Sequence, residues 1–139
     1  IDIYKPAINN YEAFIKRRLD YAAGANLPEG YPPMSMYLCL IGDKIAGAIR
    51  VRHGTNQPIK NVIGHIGYET RPSMRNQGVA SSVLKWVVEN VLSDEVLIVC
   101  ERDNIASHKV IQRNGGKQLN HFRIKGEEAI YTRYKLLRC

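Results

Sequence analysis

The stretch that decides the fold runs from Gly67 to Val87 and reads GYETRPSMRNQGVASSVLKWV. It begins as a strand that ends near Thr70, and Pro72 with a polar segment then interrupts it. From Gly78 onward, apolar residues recur at helical spacing. A helix that follows a strand and begins at a glycine can bind an anion, so the identity of the ligand at Gly78 bears directly on function.

Working outward from this stretch, the sequence predicts one domain, residues 1–139, of helices and short strands. Hydrophobic periodicity and turn residues predict a helix over 9–23, with a capping box at Asn9 and Glu12, and strands at about 35–41 and 45–52. A third strand, NVIGHIGYET over 61–70, is followed by a helix over 78–92 and a buried strand, EVLIVC over 95–100. The last elements are a helix from Asp103 or Asn104 to Asn114-Gly115 and strands at about 118–125 and 128–137. The strand–helix–strand unit around 78–92 requires a right-handed parallel crossover. The expected fold class is α/β (α+β), a central mixed sheet with helices on both faces.

Composition places the chain among ordinary globular proteins. Its 139 residues carry a net charge of +7, which favours an anionic partner, although scattered basic residues are more simply a solvated surface. No apolar run is long enough for a membrane span and no signal peptide is visible, so we expect no membrane partner. The three cysteines are odd in number and widely spaced, and no metal-ligand spacing joins them to the four histidines, which predicts no metal and reduced thiols in a cytoplasm.

The ligand that we expect at Gly78 is a phosphate or pyrophosphate. The first turn of a helix presents unpaired N–H groups with about half a positive charge, and glycine lets a ligand approach them. Arg75 adds a guanidinium that suits phosphate oxygens. Neither the Walker pattern nor the dinucleotide G-x-G-x-x-G pattern is present. The alternative is a tight turn in which Gly78 serves close packing only.

Arg75-x-x-Gly78-x-Ala80 resembles the Gln/Arg-x-x-Gly-x-Gly/Ala motif of the GNAT superfamily of N-acetyltransferases. Asn104-x-x-Ser107 is similar to the family's second cofactor segment, and the predicted element order resembles that fold from its second helix onward. The resemblance covers about residues 9–137 and is strongest to an uncharacterised bacterial branch of predicted acetyltransferases. It also implies that a first strand and helix are missing, because residues 1–8 are too short for both; the strand near 35–41 would then be an exposed edge or be covered by a neighbouring chain.

The resemblance implies acetyl-coenzyme A as the acetyl donor. Its pantetheine arm would run between splayed strands that end near Thr70 and Cys100, with backbone groups around Glu69 and Thr70 holding the amide and thioester. The side chains of Asn104 and Ser107 would bond that arm, although Asn104 could equally be a helix cap. The pyrophosphate would lie on the loop and first helical turn, namely Arg75, Asn76, Gln77, Gly78, Val79 and Ala80.

Acetyl transfer to an amine needs a base, and the third strand offers two candidates. In regular alternation His65, Gly67 and Glu69 share one face, and Gly67 would leave a gap for an acceptor. His65 and Glu69 are roughly 13 Å apart in an extended strand, so one amine cannot easily touch both. We therefore consider each as a catalytic base. The alternative is that Glu69 is simply exposed and that His65 is a hydrogen-bonded structural residue. A bulge in this strand would exchange the faces on which the residues lie.

The proton donor of the family has no counterpart in the motif. Many relatives carry a tyrosine seven residues after the asparagine, where this chain has Ile111, and the usual Gly-Phe ending is Gly115-Gly116. Tyr131 and Tyr134 are possible substitutes on the last strand, or residues that pack there.

The leading hypothesis is an acetyl-CoA-dependent N-acetyltransferase acting on a primary amine of a small molecule or peptide. The alternative is a GNAT-like module that binds coenzyme A or RNA without catalysis, although a nucleic acid partner is not the main expectation. A homodimer is also considered. The acceptor pocket would come from residues 20–34, 53–61 and 124–128, with Tyr21, Tyr31 and Tyr37 lining it or simply packing.

Overall fold

A computed structural model of the chain describes residues 10–137. In chain order they form helix α1 (Tyr11–Ala22), strands β1 (Met34–Ile41) and β2 (Lys44–Arg52), a π-helical turn (Ile59–Ile63), strand β3 (Ile66–Thr70), a 3₁₀ turn (Pro72–Met74), helix α2 (Val79–Asn90), strand β4 (Val96–Glu101), helix α3 (Ile105–Arg113), and strands β5 (Lys117–Arg123) and β6 (Ile130–Leu136). The strands make one sheet in the order β1-β2-β3-β4-β6-β5. The predicted element order and the mixed-sheet fold class are confirmed.

The sheet contains one parallel junction, between β3 and β4. Among the described residues a single pair, Ile66 and Ile98, joins these two strands, whereas the other neighbouring strands are antiparallel. Beyond that pair, Gly67–Thr70 stay registered with β2 and Val99–Glu101 with β6. The parallel strands therefore diverge toward their carboxyl ends and leave an opening that we call the β3–β4 cleft.

The inner face of the sheet carries the core. Ile49, Ile66 and Ile98 are buried there with Leu84 and Val87 of α2, and α2 packs against β2, β3 and α3. Each such buried side chain contributes about 1.5–3 kcal/mol through removal of apolar surface from water. Residues that alternate with these along the strands point to the opposite side, which we call the outer face.

The third strand is shorter than the sequence predicts. It begins at Ile66 rather than at Asn61, because Ile59–Ile63 wind into a π-helical turn. That turn ends at Gly64, whose φ of +70° is a left-handed conformation that glycine adopts without a Cβ clash. His65, predicted to lie within the strand, therefore precedes it.

Helix α1 is capped one residue later than predicted. The side chain of Asn10 accepts a hydrogen bond from the N–H of Ala13 at 3.0 Å. Asn9, the predicted cap, lies outside the described residues. A capping asparagine satisfies one of the unpaired donors of the first turn, typically stabilising the helix by about 1 kcal/mol.

Strand β1 forms one edge of the sheet, and within residues 10–137 it pairs only with β2. Large apolar side chains are exposed on β1 and on α1, which contacts it: Leu38, Leu40 and Ile41, with Ile15 and Leu19. The family resemblance implies that this strand is either an exposed edge of the sheet or covered by a neighbouring chain. Residues 1–8, where an earlier strand and helix were sought, lie outside the described part of the chain, so the missing elements stay a prediction.

Candidate active site

The segment between β3 and α2 forms an open loop in front of the helix. Asn76 and Gly78 have left-handed backbones, with φ of +63° and +76°, and the residues from Arg75 to Gly78 are all exposed. Gly78 is the N-cap of α2 and supplies no side-chain acceptor to its first turn. A Cβ at Gly78 would meet no heavy atom within 4 Å, so the space before the helix is clear. These features fit a phosphate cradle, and they argue against a glycine kept only for close packing.

The next two residues of this segment, Val79 and Ala80, are less exposed than the loop before them. Val79 is 6% exposed, and its Cγ1 would lie 3.0 Å from a Cβ placed at Gly47 of β2. Ala80 is half-buried. Because the Val79 side chain packs onto the sheet, the groups that face a ligand at the start of α2 are backbone N–H groups.

Two of the predicted coenzyme contacts lie on the β4 side of the cleft. Asn104 is the N-cap of α3, and its Oδ1 accepts a hydrogen bond from the Ser107 N–H at 3.1 Å. The capping interpretation of Asn104 is thus the one seen in the structure. Thr70 ends β3 on the opposite side, where it pairs with Gly47.

A side-chain hydrogen bond spans the cleft on its inner side. The hydroxyl oxygens of Tyr68 on β3 and Ser107 on α3 lie 2.5 Å apart. Burial raises the pKa of the Tyr68 phenol, while its bond to Ser107 acts in the opposite direction. The phenol is therefore protonated at neutral pH, and the pair presents hydroxyl groups to the cleft.

Glu69 lies on the outer face, toward the open end of the cleft. It forms an ion pair with Arg50 of β2; the Arg50 side chain is 13% exposed and that of Glu69 is 41% exposed. A Cβ at Gly67 would fall 2.6 Å from Nη2 of Arg50. The gap that the sequence predicts at Gly67 is therefore occupied by a guanidinium, and the missing side chain makes room for Arg50.

His65 lies at the closed end of the cleft, with both ring nitrogens engaged. Nδ1 accepts a hydrogen bond from the Leu97 N–H at 2.9 Å, and Nε2 lies 2.7 Å from Oγ1 of Thr55. Because Nδ1 is an acceptor, the neutral ring carries its proton on Nε2. Burial, and next the charge of Arg52, lower the pKa of His65. These contacts favour the structural interpretation of His65, and its role as a base stays a prediction.

Ile111 stands where relatives carry a tyrosine, and it is fully buried. A Cβ at Gly116 would lie 2.3 Å from Cγ2 of Ile111, so the isoleucine fills the space beside that glycine. The two departures from the family pattern, Ile111 in place of tyrosine and Gly116 in place of phenylalanine, thus belong together, because the two residues pack against each other. No hydroxyl can come from position 111.

The two tyrosines considered as substitutes are bonded elsewhere. The Tyr131 hydroxyl donates to the Glu127 carboxylate at 2.7 Å, and that bond raises the pKa of Tyr131. Tyr134 is fully buried, with its hydroxyl 2.5 Å from Nδ1 of His108 and 3.3 Å from Nε2 of Gln112. Burial raises the pKa of Tyr134. Tyr134 is therefore a core residue, as the packing interpretation predicts.

An open, mainly apolar cavity of about 390 Å³ adjoins Glu69 and is lined by Ile45–Ala48 and Glu69–Pro72. It offers space for part of a ligand beside the cleft. Of the tyrosines expected to line an acceptor pocket, Tyr37 instead packs against Trp86, with ring centroids 5.2 Å apart. Tyr21 lies under the Arg18 guanidinium, and Tyr31 is 37% exposed.

No cluster of three or more histidine, cysteine, aspartate or glutamate side chains is placed to hold a metal ion within the described part of the chain. None of the helices in residues 10–137 has the length and apolar content that crossing a bilayer requires. Cys39 is half-buried and Cys100 buried, and both are free thiols. Burial raises the pKa of Cys100, which does not favour a reactive thiolate.

Sequence reasoning missed Arg50 and Tyr68, although both adjoin the cleft. Arg50 follows four buried residues of β2, and such an interruption of a buried strand was a usable signal. Tyr68 gives no comparable signal, because its bond to Ser107 joins residues 39 positions apart.

Residues 5–116 match the sequence model of the Acetyltransferase (GNAT) family. No curated protein sequence matches the chain significantly. Similar solved structures include RimL, a ribosomal L7/L12 alpha-N-protein acetyltransferase in complex with coenzyme A, at 21% identity and a TM-score of 0.62, covering 91% of this chain and 70% of that one.

Two further structures share the fold. The microcin C7 self-immunity acetyltransferase MccE, in complex with acetyl-CoA and AMP, is 17% identical with a TM-score of 0.65, covering 94% of this chain and 71% of its own. Mycobacterium smegmatis RimJ, in complex with CoA-disulfide, is 13% identical with a TM-score of 0.68, covering 93% and 61%. The family match spans most of the residues, and the diverging parallel strands agree with the shared fold: the chain belongs to the GNAT family of acetyltransferases and is an acyltransferase.

Proposed function

We propose that the chain transfers the acetyl group of acetyl-CoA to a primary amine of a small molecule or a peptide. The observation that carries this proposal is the β3–β4 cleft, which opens beside an exposed glycine at the start of α2. Solved structures with this fold include complexes with coenzyme A and acetyl-CoA. The basic net charge of +7 also suits a coenzyme that carries phosphate groups.

The residues present fit the coenzyme. The N–H groups of the loop and first helical turn would bind the pyrophosphate, with the Arg75 side chain as a second contact. The residues in this group are Arg75, Asn76, Gln77, Gly78, Val79 and Ala80. The backbone at Thr70 on one side of the cleft, and Asn104 with Ser107 on the other, would hold the pantetheine arm. The coenzyme supplies the acetyl thioester, and no metal takes part in the proposal.

Glu69 is the base that we propose for the amine proton. Its carboxylate is partly exposed on the outer face beside the cleft, whereas both nitrogens of His65 are hydrogen-bonded at the closed end. The inner side of the cleft is closed by Tyr68 and Ser107, so an acceptor amine approaches most easily from the outer face. A carboxylate there accepts the proton directly or through one water molecule.

For the departing thiol, the Tyr68 and Ser107 hydroxyls are the nearest counterpart to the absent tyrosine. They lie in the cleft itself, while Ile111 offers no proton. We assign them a hydrogen bond to the leaving sulfur, with the final proton coming from water, because the thiol of coenzyme A is a good leaving group.

The acceptor class fits both small amines and peptides. RimL is described as an alpha-N-protein acetyltransferase, which makes a peptide α-amine one candidate here. The free thiols Cys39 and Cys100 suit a reducing compartment, and we place the enzyme in the cytoplasm.

A chromatographic assay of coenzyme A release tests the proposal, with acetyl-CoA and a panel of amines. Chromatography avoids thiol reagents, which would also react with the cysteines of the chain. We expect amine-dependent coenzyme A release, reduced at least about tenfold in Glu69→Gln, since a positioned base contributes roughly 10²–10⁴-fold. Saturable coenzyme binding without release, for every amine tested, would instead favour the binding module.

A further inference from the structure

The open cavity of about 390 Å³ beside Glu69, which we call the β2 cavity, adjoins the atoms that would react. It is lined by residues 45–48 at the start of β2 and by residues 69–72 at the end of β3 and just after it. The lining therefore includes Glu69, the proposed base, and Thr70, whose backbone we assign to the pantetheine arm. A volume of this size lies within the roughly 300–1,000 Å³ that small-molecule sites usually have.

Three small residues of β2 form the floor of this cavity. Ala46 and Ala48 are 0% and 4% exposed. A Cβ at Gly47 would lie 2.8 Å from the carbonyl oxygen of Glu69, so no larger residue fits there. Ala48 pairs directly with Glu69, which places both side chains on the outer face as cross-strand neighbours. A group that lies over the Ala48 methyl is therefore next to the carboxylate.

The walls of the β2 cavity are hydrocarbon as well. Ile45 is 43% exposed and borders the cavity at the start of the strand. Nε of Arg71 donates to the carbonyl oxygen of Ile45 at 2.7 Å, so the guanidinium is held on the backbone of β2 and the methylene stem borders the cavity. Leu38 of β1 pairs with Ala48 and is 50% exposed, which extends the apolar surface away from Glu69.

A cavity of about 240 Å³ at the closed end of the cleft differs in both position and lining. It is lined by charged and polar side chains, including Arg52, His65, Asp94 and Glu95, and Glu69 is not among them. Of these two cavities, only the β2 cavity combines contact with the proposed base and an apolar lining. Hydrocarbon surface gains free energy when it leaves water for such a lining.

From this arrangement we infer that the acceptor is a small primary amine carried on a short hydrocarbon group. Its nitrogen lies at Glu69, and its hydrocarbon group lies in the β2 cavity over Ala48 and beside Ile45, which are then specificity-determining residues. In the transfer, the nitrogen bonds to the acetyl carbon and the carbon–sulfur bond breaks, while Glu69 takes the amine proton and water protonates the departing thiolate. The inference rests on the proposed function and names the substrate class of that same site.

The n-alkylamines from ethylamine to hexylamine test the inference, because their basicities are nearly equal and only the length of the hydrocarbon group changes. We measure kcat/KM for each by coenzyme A release at saturating acetyl-CoA, in the wild type, Ile45→Thr and Ala48→Val. The matched control is Leu119→Thr, because Leu119 is an equally exposed strand residue, at 47%, on β5 outside the cavity. The hexylamine-to-ethylamine ratio cancels any general effect of a variant on Glu69 or on the coenzyme.

In the wild type, kcat/KM should rise about fourfold with each added methylene until the cavity is filled. Ile45→Thr removes a wall of the cavity and Ala48→Val fills its floor, so each should lower the hexylamine-to-ethylamine ratio about fivefold. Leu119→Thr should leave the ratio unchanged. If Ala48→Val does not fold, the exposed site of Ile45→Thr supplies the same comparison.

The outcomes separate the substrate class from the proposed function. A ratio near one in the wild type, or a ratio that Ile45→Thr lowers no more than Leu119→Thr does, overturns the inference alone. Transfer to other amines of the panel but to none of the alkylamines also overturns the inference and keeps the proposed function. Absence of transfer to every amine removes the proposed function itself.

Discussion

Replacing Gly78 by alanine separates the backbone strain of the loop from its contact with a ligand. The glycine has φ of +76°, and an added Cβ would point into open space. In the protein alone, the methyl group therefore clashes with no neighbour, and the cost is confined to the left-handed backbone. In the complex, the same methyl group would occupy space that the proposed phosphate needs in order to reach the N–H groups.

The stability cost can be estimated from the conformation. A residue with a Cβ costs roughly 1–2 kcal/mol in the left-handed region, which lowers the Tm of a chain of this size by about 3–8 °C. A domain with a typical stability of about 5–15 kcal/mol remains folded. Loss of one charge-assisted hydrogen bond to phosphate should weaken coenzyme A binding by a further 10- to 100-fold or so.

The chain supplies a matched control in Gly126, in the turn between β5 and β6. Its φ is +87°, and a Cβ there also meets nothing within 4 Å. Gly126→Ala should therefore lower the Tm by a similar amount and leave the affinity for coenzyme A unchanged. Thermal unfolding and titration calorimetry with coenzyme A measure the two effects on the same samples.

The comparison between the two variants decides the reasoning. If Gly78→Ala binds coenzyme A as tightly as Gly126→Ala does, the glycine serves the turn and the phosphate cradle is refuted. A ligand-induced rise in Tm that is smaller for Gly78→Ala than for Gly126→Ala would agree with calorimetry, because at a fixed concentration a weaker ligand stabilises the folded state less.

Three further outcomes are expected. Arg75→Ala should weaken coenzyme A binding about tenfold to a hundredfold without changing Tm, and unchanged affinity by calorimetry would exclude Arg75 as a phosphate ligand. Because the pKa of His65 is lowered in the folded state, its contribution to stability is present above the unfolded pKa of about 6.5 and is lost as pH falls toward the folded pKa. Urea unfolding between about pH 8 and 5 should show this loss of stability in the wild type, and His65→Gln should not show it. When kcat/KM is measured against pH, it should rise to a plateau with no alkaline fall below about pH 10. Tyr131→Phe and Tyr134→Phe should leave this profile unaltered, whereas Tyr68→Phe should lower the rate. An alkaline fall that either of the first two variants abolished would show that this tyrosine is the acid.

The fold was largely predictable because its determinants are local. Periodicity and turn residues identified the helices, and Gly78 marked the start of α2 without any knowledge of its neighbours. The start of β3 was not predictable in this way. Ile59, Val62 and Ile63 fit a helical spacing as well as a strand, and the break between the two depends on the left-handed Gly64.

The candidate site divides along the same line. The proposed pyrophosphate site is one continuous segment, in which a glycine, an arginine and a helix start suffice to predict an anion site. The Tyr68–Ser107 pair could not be predicted, because the bond joins residues far apart in the sequence and depends on where α3 lies relative to β3. Even Gly67 was misread as a gap for a ligand, since the side chain that fills it belongs to another strand.

The charges on the outer face of the sheet depend on strand register. Arg50 lies opposite Gly67 because β2 and β3 pair in one register, and a slip by one residue would turn Arg50 into the core. Glu69 then meets Arg50 diagonally, and Glu101 becomes level with it only through the pairing of Ile66 with Ile98. Members of one family can therefore share a coenzyme motif and still differ in acceptor, because a few outward-facing residues of neighbouring strands set the charge of the outer face. In this chain that face carries an arginine on β2 and a glutamate on each of β3 and β4.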